Sequence, residues 1–282
     1  VKVLVFGGTG QVGTELRRHP DVIAPERHEA DLSDAEACAA LIAQTDAAAV
    51  INAAAYTAVD RAEEEERLAT AINGEAPAAM ARSAAARGLP FVHLSSDYVF
   101  DGSGATARTP DMPTAPVNAY GRSKRAGEQG TRAARGTHVI LRTSWVFSAH
   151  GTNFVKTMLR IGVERPSLNV VADQIGGPTP ASAIAEACLL IVDRLMTEPR
   201  LSGTYHFAGA PDVSWAGFAR AILERAGLGC TVTDIATSDY PTLAPRPLNS
   251  RLDCRTTEAA FGLARPDWRA ELDGILAELE AA

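Results

Sequence analysis

The chain is poor in cysteine and carries no positive excess. Its four cysteines, Cys38, Cys188, Cys230 and Cys254, lie far apart and form no zinc-spaced cluster with histidine. That excludes a disulfide framework and a Cys/His metal motif, and points to reduced thiols in a reducing compartment. Lys and Arg number 27 against 34 Asp and Glu, a formal net charge of −7. Such a balance supplies no global field for nucleic acid or an acidic membrane surface, so neither is an expected partner. No apolar stretch approaches the roughly 18 residues of a membrane span. Val1–Phe6 is mainly apolar but short, and it lacks the charged leading region of a secretory signal. A cytoplasmic location is the resulting expectation. Internal repeats and low-complexity tracts are also missing. What is present is ordinary for a soluble globular protein: 46% hydrophobic and 22% charged residues over 282 positions, enough for one large domain or two modest ones.

Apolar runs and helical stretches alternate through the first half. Strands are expected at Val1–Phe6, Val22–Ala24, Ala48–Asn52, Phe91–Ser95 and Val139–Thr143. Between them, helical composition covers Gln11–Arg18, Asp34–Gln44, Arg61–Arg87 and Val117–Ala134, with a break near Asn73-Gly74 or Pro77. This alternation predicts βαβ units and an α/β fold with a Rossmann-like, doubly wound parallel sheet. Beyond residue 150 the pattern loosens. Helices are expected at Phe154–Gly162, Ala181–Met196, Ser214–Ala226 (with Ser214 as N-cap) and Trp268–Glu280, and a strand at Tyr205–Phe207. Asp173–Pro180 and Pro241–Pro247 read as Gly/Pro-rich loops. Residues 1–150 are therefore taken as a dinucleotide-binding domain. Residues 151–282 are taken as a smaller, mainly substrate-binding region interleaved with the sheet.

Chemistry concentrates at the expected strand ends, where ligands bind in open α/β sheets. Gly7-Gly8-Thr9-Gly10-Gln11-Val12-Gly13 follows the first strand and opens a helix. Glycines at Gly7, Gly10 and Gly13 suit a tight turn, close approach to a pyrophosphate and tight helix–strand packing. Gln11 and Val12 lie in the same turn. After the second strand, Glu26 would accept hydrogen bonds from an adenosine ribose and favour NADH, whereas Arg27 would pair with a 2′-phosphate and favour NADPH. The sequence leaves that choice open. Asp31 and Leu32 flank the adenine in this reading, or form a simple turn. Tyr120 and Lys124 stand four apart on one helical face. A lysine there would favour the phenolate, suiting the pair to acid–base work, although the spacing also occurs by chance.

Taken together, these blocks resemble the extended short-chain dehydrogenase/reductases. The resemblance rests on the glycine turn, Asn52–Asp60, Ser95–Gly102 and Asn118–Glu128. Arg142–Phe147, Asn153-Phe154, Asp173–Thr179 and Arg246–Asp253 narrow it to the dTDP-4-dehydrorhamnose reductases. It implies NADPH or NADH as cofactor and a nucleotide-sugar substrate, with Tyr120 as proton donor and Lys124 holding the nicotinamide ribose. It implies Ser96 as the hydroxyl that orients the carbonyl, where relatives commonly have threonine. Ala55, Tyr56 and Thr57 would line the cofactor. Asp97, Trp145, Asn153 and Arg246 would meet the substrate, although each also has a packing or loop role open to it. Asp101–Ala119 would be a loop able to close over the sugar. Some relatives form a magnesium-linked dimer through clustered acids. Glu15 matches one of these, but Ser182 stands where another acid is expected, and a hydroxyl cannot replace a carboxylate at a hard-cation site. No metal is expected, and a homodimer stays open. Related folds also serve other nucleotide-sugar reductases and epimerases, and a non-catalytic regulatory subunit of methionine adenosyltransferase. The intact Ser96, Tyr120 and Lys124 set speaks against the last.

Overall fold

A computed structural model describes residues 1–281. Its central sheet contains β1 (Val3–Phe6), β2 (Val22–Ile23), β3 (Ala49–Asn52), β4 (Phe91–Ser96), β5 (His138–Thr143) and an edge strand, Gly203–His206. The spatial order is β2, β1, β3, β4, β5, then Gly203–His206, and every pairing is parallel. The strands β1, β3 and β4 are buried along their whole length, which is why they read as continuous rather than alternating apolar runs. Val3 and Val5 pack on one face with Leu16, Ile184 and Ile191, while Leu4 and Phe6 pack on the other with Ile42, Met80 and Phe91. Helices thus cover both faces. These are α1 (Gln11–Leu16) and α7 (Ala181–Thr197) on the first, and α2 (Ala35–Gln44) and α4 (Ala76–Ala86) on the second.

The expected helix over Arg61–Arg87 is segmented. A 3₁₀ turn at Arg61–Glu63 leads to α3 (Glu66–Thr70), a π-helical turn at Ala71–Glu75 and then α4. The π turn contains the Asn73-Gly74 pair, and Pro77 follows it in the first turn of α4. Next comes α5 (Ala119–Ala133).

The second half holds its own apolar cluster around Phe147, Phe218, Leu223 and Trp268. It is built on α6 (Phe154–Glu164), α8 (Trp215–Arg225) and α10 (Trp268–Ala281), with α9 (Arg255–Phe261) beside the edge strand. Ser214 caps α8, its hydroxyl accepting from the Gly217 amide at 3.0 Å. Asp173–Pro180 is not the plain loop its composition suggested. Ile175–Gly176 pairs with Val213–Ser214 and with Asn249–Ser250, and Thr179–Pro180 pairs with Val146–Phe147. Two-residue strands made by distant partners leave no local periodicity to read. Ser167–Val171 and Thr231–Ile235 form a further parallel pair that the sequence reading did not include.

Candidate active site

Because the sheet is parallel, Phe6, Asn52, Ser96 and Thr143 end at one edge. The strand order reverses between β1 and β3, the switch point where such sheets bind ligands. A cleft of about 800 Å³ opens there. Its walls come from the Gly7–Val12 turn, the Ala53–Ala58 segment after β3, and Tyr120 and Lys124 on α5.

The glycine end is shaped by backbone. Gly7 has φ +89, and a Cβ added to it would strike the Ala54 backbone; one on Gly13 would overlap the Gly7 carbonyl oxygen. Gly10 caps α1 without a side-chain hydrogen bond, so the orphan amides of that turn keep no protein side chain as partner. These features fit a dinucleotide pyrophosphate. Gln11 is the exception to a bare backbone turn. Its side-chain oxygen accepts from the Ser148 hydroxyl at 2.8 Å and from the Asn153 amide nitrogen at 3.0 Å.

At the outer end, Arg27, Asp31, Leu32 and Ser33 line the cleft. The Ser33 amide and hydroxyl hold the Asp31 carboxyl below its usual range, and Arg27 adds to this. Glu26 does not join that wall. It lies 3.6 Å from Arg17, and its amide donates to Glu29 at 2.8 Å. Of the two residues weighed for cofactor choice, the structure brings only the arginine to the cleft.

Ala55, Tyr56 and Thr57 line the middle. The Tyr56 phenol donates to Glu65 at 2.6 Å. Its peptide is clamped by Asn73, whose side chain accepts from the Tyr56 amide at 2.8 Å and donates to its carbonyl at 3.0 Å. The same Asn73 amide donates to the Ser123 hydroxyl at 2.9 Å. One buried side chain in the π turn thus ties the cofactor wall to α5. The sequence signal for it was an Asn-Gly pair inside a helical stretch.

Tyr120 is placed by the start of α5. Asn118 caps the helix, accepting from the Gly121 amide at 2.8 Å, and Glu63 accepts from the Ala119 amide at 2.7 Å. Gly121 is needed because a Cβ there would overlap the Tyr98 carbonyl. The Tyr98 ring then meets the Tyr120 ring edge-on at 5.4 Å. Burial pushes the Tyr120 phenol up to about 12, partly opposed by the Ser96 hydroxyl. Ser96 donates to Asp97 at 3.0 Å and accepts from the Tyr98 amide at 3.2 Å. Asp97 is itself pushed up to about 6 by burial.

Lys124 reaches the cleft floor and donates to the Leu94 carbonyl at 2.7 Å. Burial lowers it to about 8, with Glu128 acting the other way. The spacing alone suggested that Lys124 sits against the phenol and lowers it. Here the ammonium is held by β4, and burial dominates the tyrosine, so the Tyr120 phenol keeps its proton at neutral pH.

Besides Glu26 and Gly13, five sequence candidates lie outside the cleft lining: Ser96, which sits just behind it beside Tyr120, and Asp97, Trp145, Asn153 and Arg246. Asp97 is buried behind Ser96. Trp145 adopts φ +49 and stacks on Trp215 with centroids 3.6 Å apart. Asn153 caps α6, accepting from the Lys156 amide at 3.2 Å. Arg246 is engaged by Asp60 at 2.6 Å. Glu15, the acid matched to a metal-linked dimer, accepts from His150 at 2.9 Å, with Arg18 at 3.2 Å. The Asp101–Ala119 segment is tethered, with Arg108 bridging to Leu252 and Thr106 accepting from Asn249 at 2.9 Å.

The family model described as RmlD substrate binding domain matches residues 1–281. This chain belongs to that family. A dTDP-4-dehydrorhamnose reductase of Sinorhizobium fredii is 41% identical over 278 residues, covering 95% of this chain and 94% of the relative. A crystal structure of a dTDP-4-dehydrorhamnose reductase from Clostridium acetobutylicum superposes with a TM-score of 0.92 at 32% identity, covering 99% of this chain and all of that one (100%). One from Bacillus anthracis, in complex with NADP, superposes with a TM-score of 0.90 at 32% identity, covering 98% and 99%. The family is one of Rossmann-like oxidoreductases, and the parallel sheet and switch-point cleft described above are its framework. Among the described residues no helix is long and apolar enough to cross a membrane.

Proposed function

We propose that the protein reduces the C4 keto group of dTDP-4-dehydro-6-deoxy-L-mannose (dTDP-6-deoxy-L-lyxo-4-hexulose) to give dTDP-L-rhamnose, with Tyr120 as proton donor. The observation that carries this is a buried Tyr120 that lines the inner end of a dinucleotide-sized cleft together with Lys124 and has the Ser96 hydroxyl against its phenol. A bound reduced nicotinamide supplies the hydride. Lys124 would hold its ribose. Gly7, Gly10 and Gly13 would admit the pyrophosphate, and Ala55, Tyr56 and Thr57 would line the cofactor's path. Ser96 would orient the sugar carbonyl, and Tyr120 would give its proton to the carbonyl oxygen as the hydride reaches C4. The C=O bond becomes CH–OH, and the resulting tyrosinate regains a proton from solvent. Proton donation of this kind contributes on the order of 10²–10⁴-fold, and positioning supplies much of the rest.

Arg27 makes NADPH the favoured form, because a guanidinium in the cleft wall can pair with a 2′-phosphate while Glu26 is turned toward Arg17. Incubation with the dTDP-4-keto-6-deoxy sugar should consume NADPH, and NADH less efficiently. No oxidation of either would remove the proposal, and turnover only with another nucleotide sugar would redirect it. Lys124 loses its proton near pH 8, so cofactor affinity should fall as pH rises through that value.

A further inference from the structure

One turn below Lys124 on α5 lies a buried ionic cluster for which neither the cofactor nor the sugar has a use. Glu128 is completely buried and Arg142 nearly so. The guanidinium of Arg142 grips both carboxylate oxygens, Nε to Oε1 at 2.7 Å and Nη2 to Oε2 at 2.8 Å. The Ser95 hydroxyl donates to the first oxygen at 2.7 Å, and Arg132 to the second at 2.9 Å. Arg142 belongs to β5 and Ser95 to β4, so the carboxylate fastens α5 to two strands at the level of the cleft floor. Burial alone would raise Glu128, but Arg142, Ser95 and Arg132 outweigh it and keep the carboxyl below its usual range. A buried ion pair is weak evidence for stability, since its desolvation offsets much of the attraction. Its position suggests another role.

We propose that Glu128 is a positioning residue for Lys124: by fastening α5 to β4 and β5, it sets the lysine on the cleft floor and holds a buried carboxylate on the lysine's own helical face, one turn away. Lys124 is only 2% exposed and meets few other charges. His93 faces it from β4, but burial and the lysine's own charge keep that imidazole neutral. Tyr120 shares its helix and is protonated. Asp97 lies beyond Tyr120, and Asn73 faces α5 from the π turn without charge. Arg142 stands behind Glu128. Glu128 is thus the one anion that acts to keep Lys124 protonated, against its own burial.

The inference rests on Lys124 as the ribose-holding cation, but its test needs no substrate. The chain has three lysines, Lys2, Lys124 and Lys156, so lysine labelled with ¹³C at Cε gives three resonances, and Lys124→Arg identifies the middle one. In the wild type the Lys124 signal should titrate near pH 8. In Glu128→Gln the midpoint should drop by on the order of one pH unit, whereas Glu128→Asp, which keeps the charge, should stay close to wild type. The alkaline limb of cofactor binding should move with it. If Glu128→Gln does not fold, Glu128→Gln/Arg142→Met removes both charges together, a change that buried pairs tolerate better, and should still lower the midpoint, by less because the opposing Arg142 charge is gone too. An unmoved Lys124 midpoint in the folded variant would overturn the proposal and leave the cluster a purely structural clamp. A shifted midpoint in a protein that reduces no nucleotide sugar would keep this inference and sink the function proposed above.

Discussion

The two ends of the cleft are made of different materials. The glycine end is backbone and open space: atoms added to Gly7 or Gly13 would collide with main chain. The Tyr120 end is dense with buried polar side chains, each held by a named partner on β4, β5 or the segment before α5. The first end can be damaged only by filling it, and damage there removes binding. The second can be damaged without changing its shape, and at Tyr120 such damage is expected to remove chemistry while leaving the cofactor in place.

The largest effect expected is at the glycine end. Gly13→Val should abolish measurable NADPH binding in calorimetry, because the new side chain overlaps the Gly7 carbonyl, and should lower the melting temperature as well. NADPH binding at wild-type affinity in that variant would break the contrast. At the other end, Tyr120→Phe should lose on the order of 10²–10⁴-fold in kcat with the NADPH Kd within about threefold of wild type, a split visible only by measuring both. Arg27→Gln should cost NADPH roughly tenfold or more in Kd, a charge-assisted hydrogen bond being worth about 1.5–3 kcal/mol, while NADH is unchanged. Equal loss for both cofactors would mean that Arg27 does not read the 2′-phosphate. The smallest effect is on stability. Asp97 is raised to about 6 by burial, above its unfolded value, so it binds a proton more readily when folded. Its ionisation therefore costs stability as pH rises through about 6. Asp97→Asn should flatten the fall in melting temperature between about pH 4 and pH 6, by the equivalent of roughly 3 kcal/mol at most.

The same contrast explains what the sequence could disclose. β1, the glycine turn and α1 follow one another directly, and their constraints are local, so their positions could be read within a residue or two. Tyr120 and Lys124 were legible as a pair because helical spacing is local too. Their actual partners were not. Lys124 bonds the Leu94 carbonyl, 30 positions away, and the main chain it meets has no signature in residue type. Asn73 joins Tyr56 to Ser123 across 17 and 50 positions, and only its misfit inside a helix hinted at it. Trp145 and Arg246 have partners of the same hidden kind. Their residue types suit stacking on a sugar and pairing with a diphosphate, but their neighbours Trp215 and Asp60 lie 70 and 186 positions away. Short strands such as Ile175–Gly176 were hidden because their register comes from segments on either side of α8 and beyond it.

Hydride transfer to one sugar carbon, with Tyr120 supplying the proton, can be followed atom by atom. NADPH carrying deuterium at the transferable C4 position should be incubated with the wild-type protein and the dTDP-4-keto-6-deoxy sugar, and the product examined by NMR. One deuterium at the sugar C4 is expected, with formation of that labelled product slowed by orders of magnitude in Tyr120→Phe. Product without label at C4, or labelled product formed at the wild-type rate in Tyr120→Phe, would contradict the mechanism.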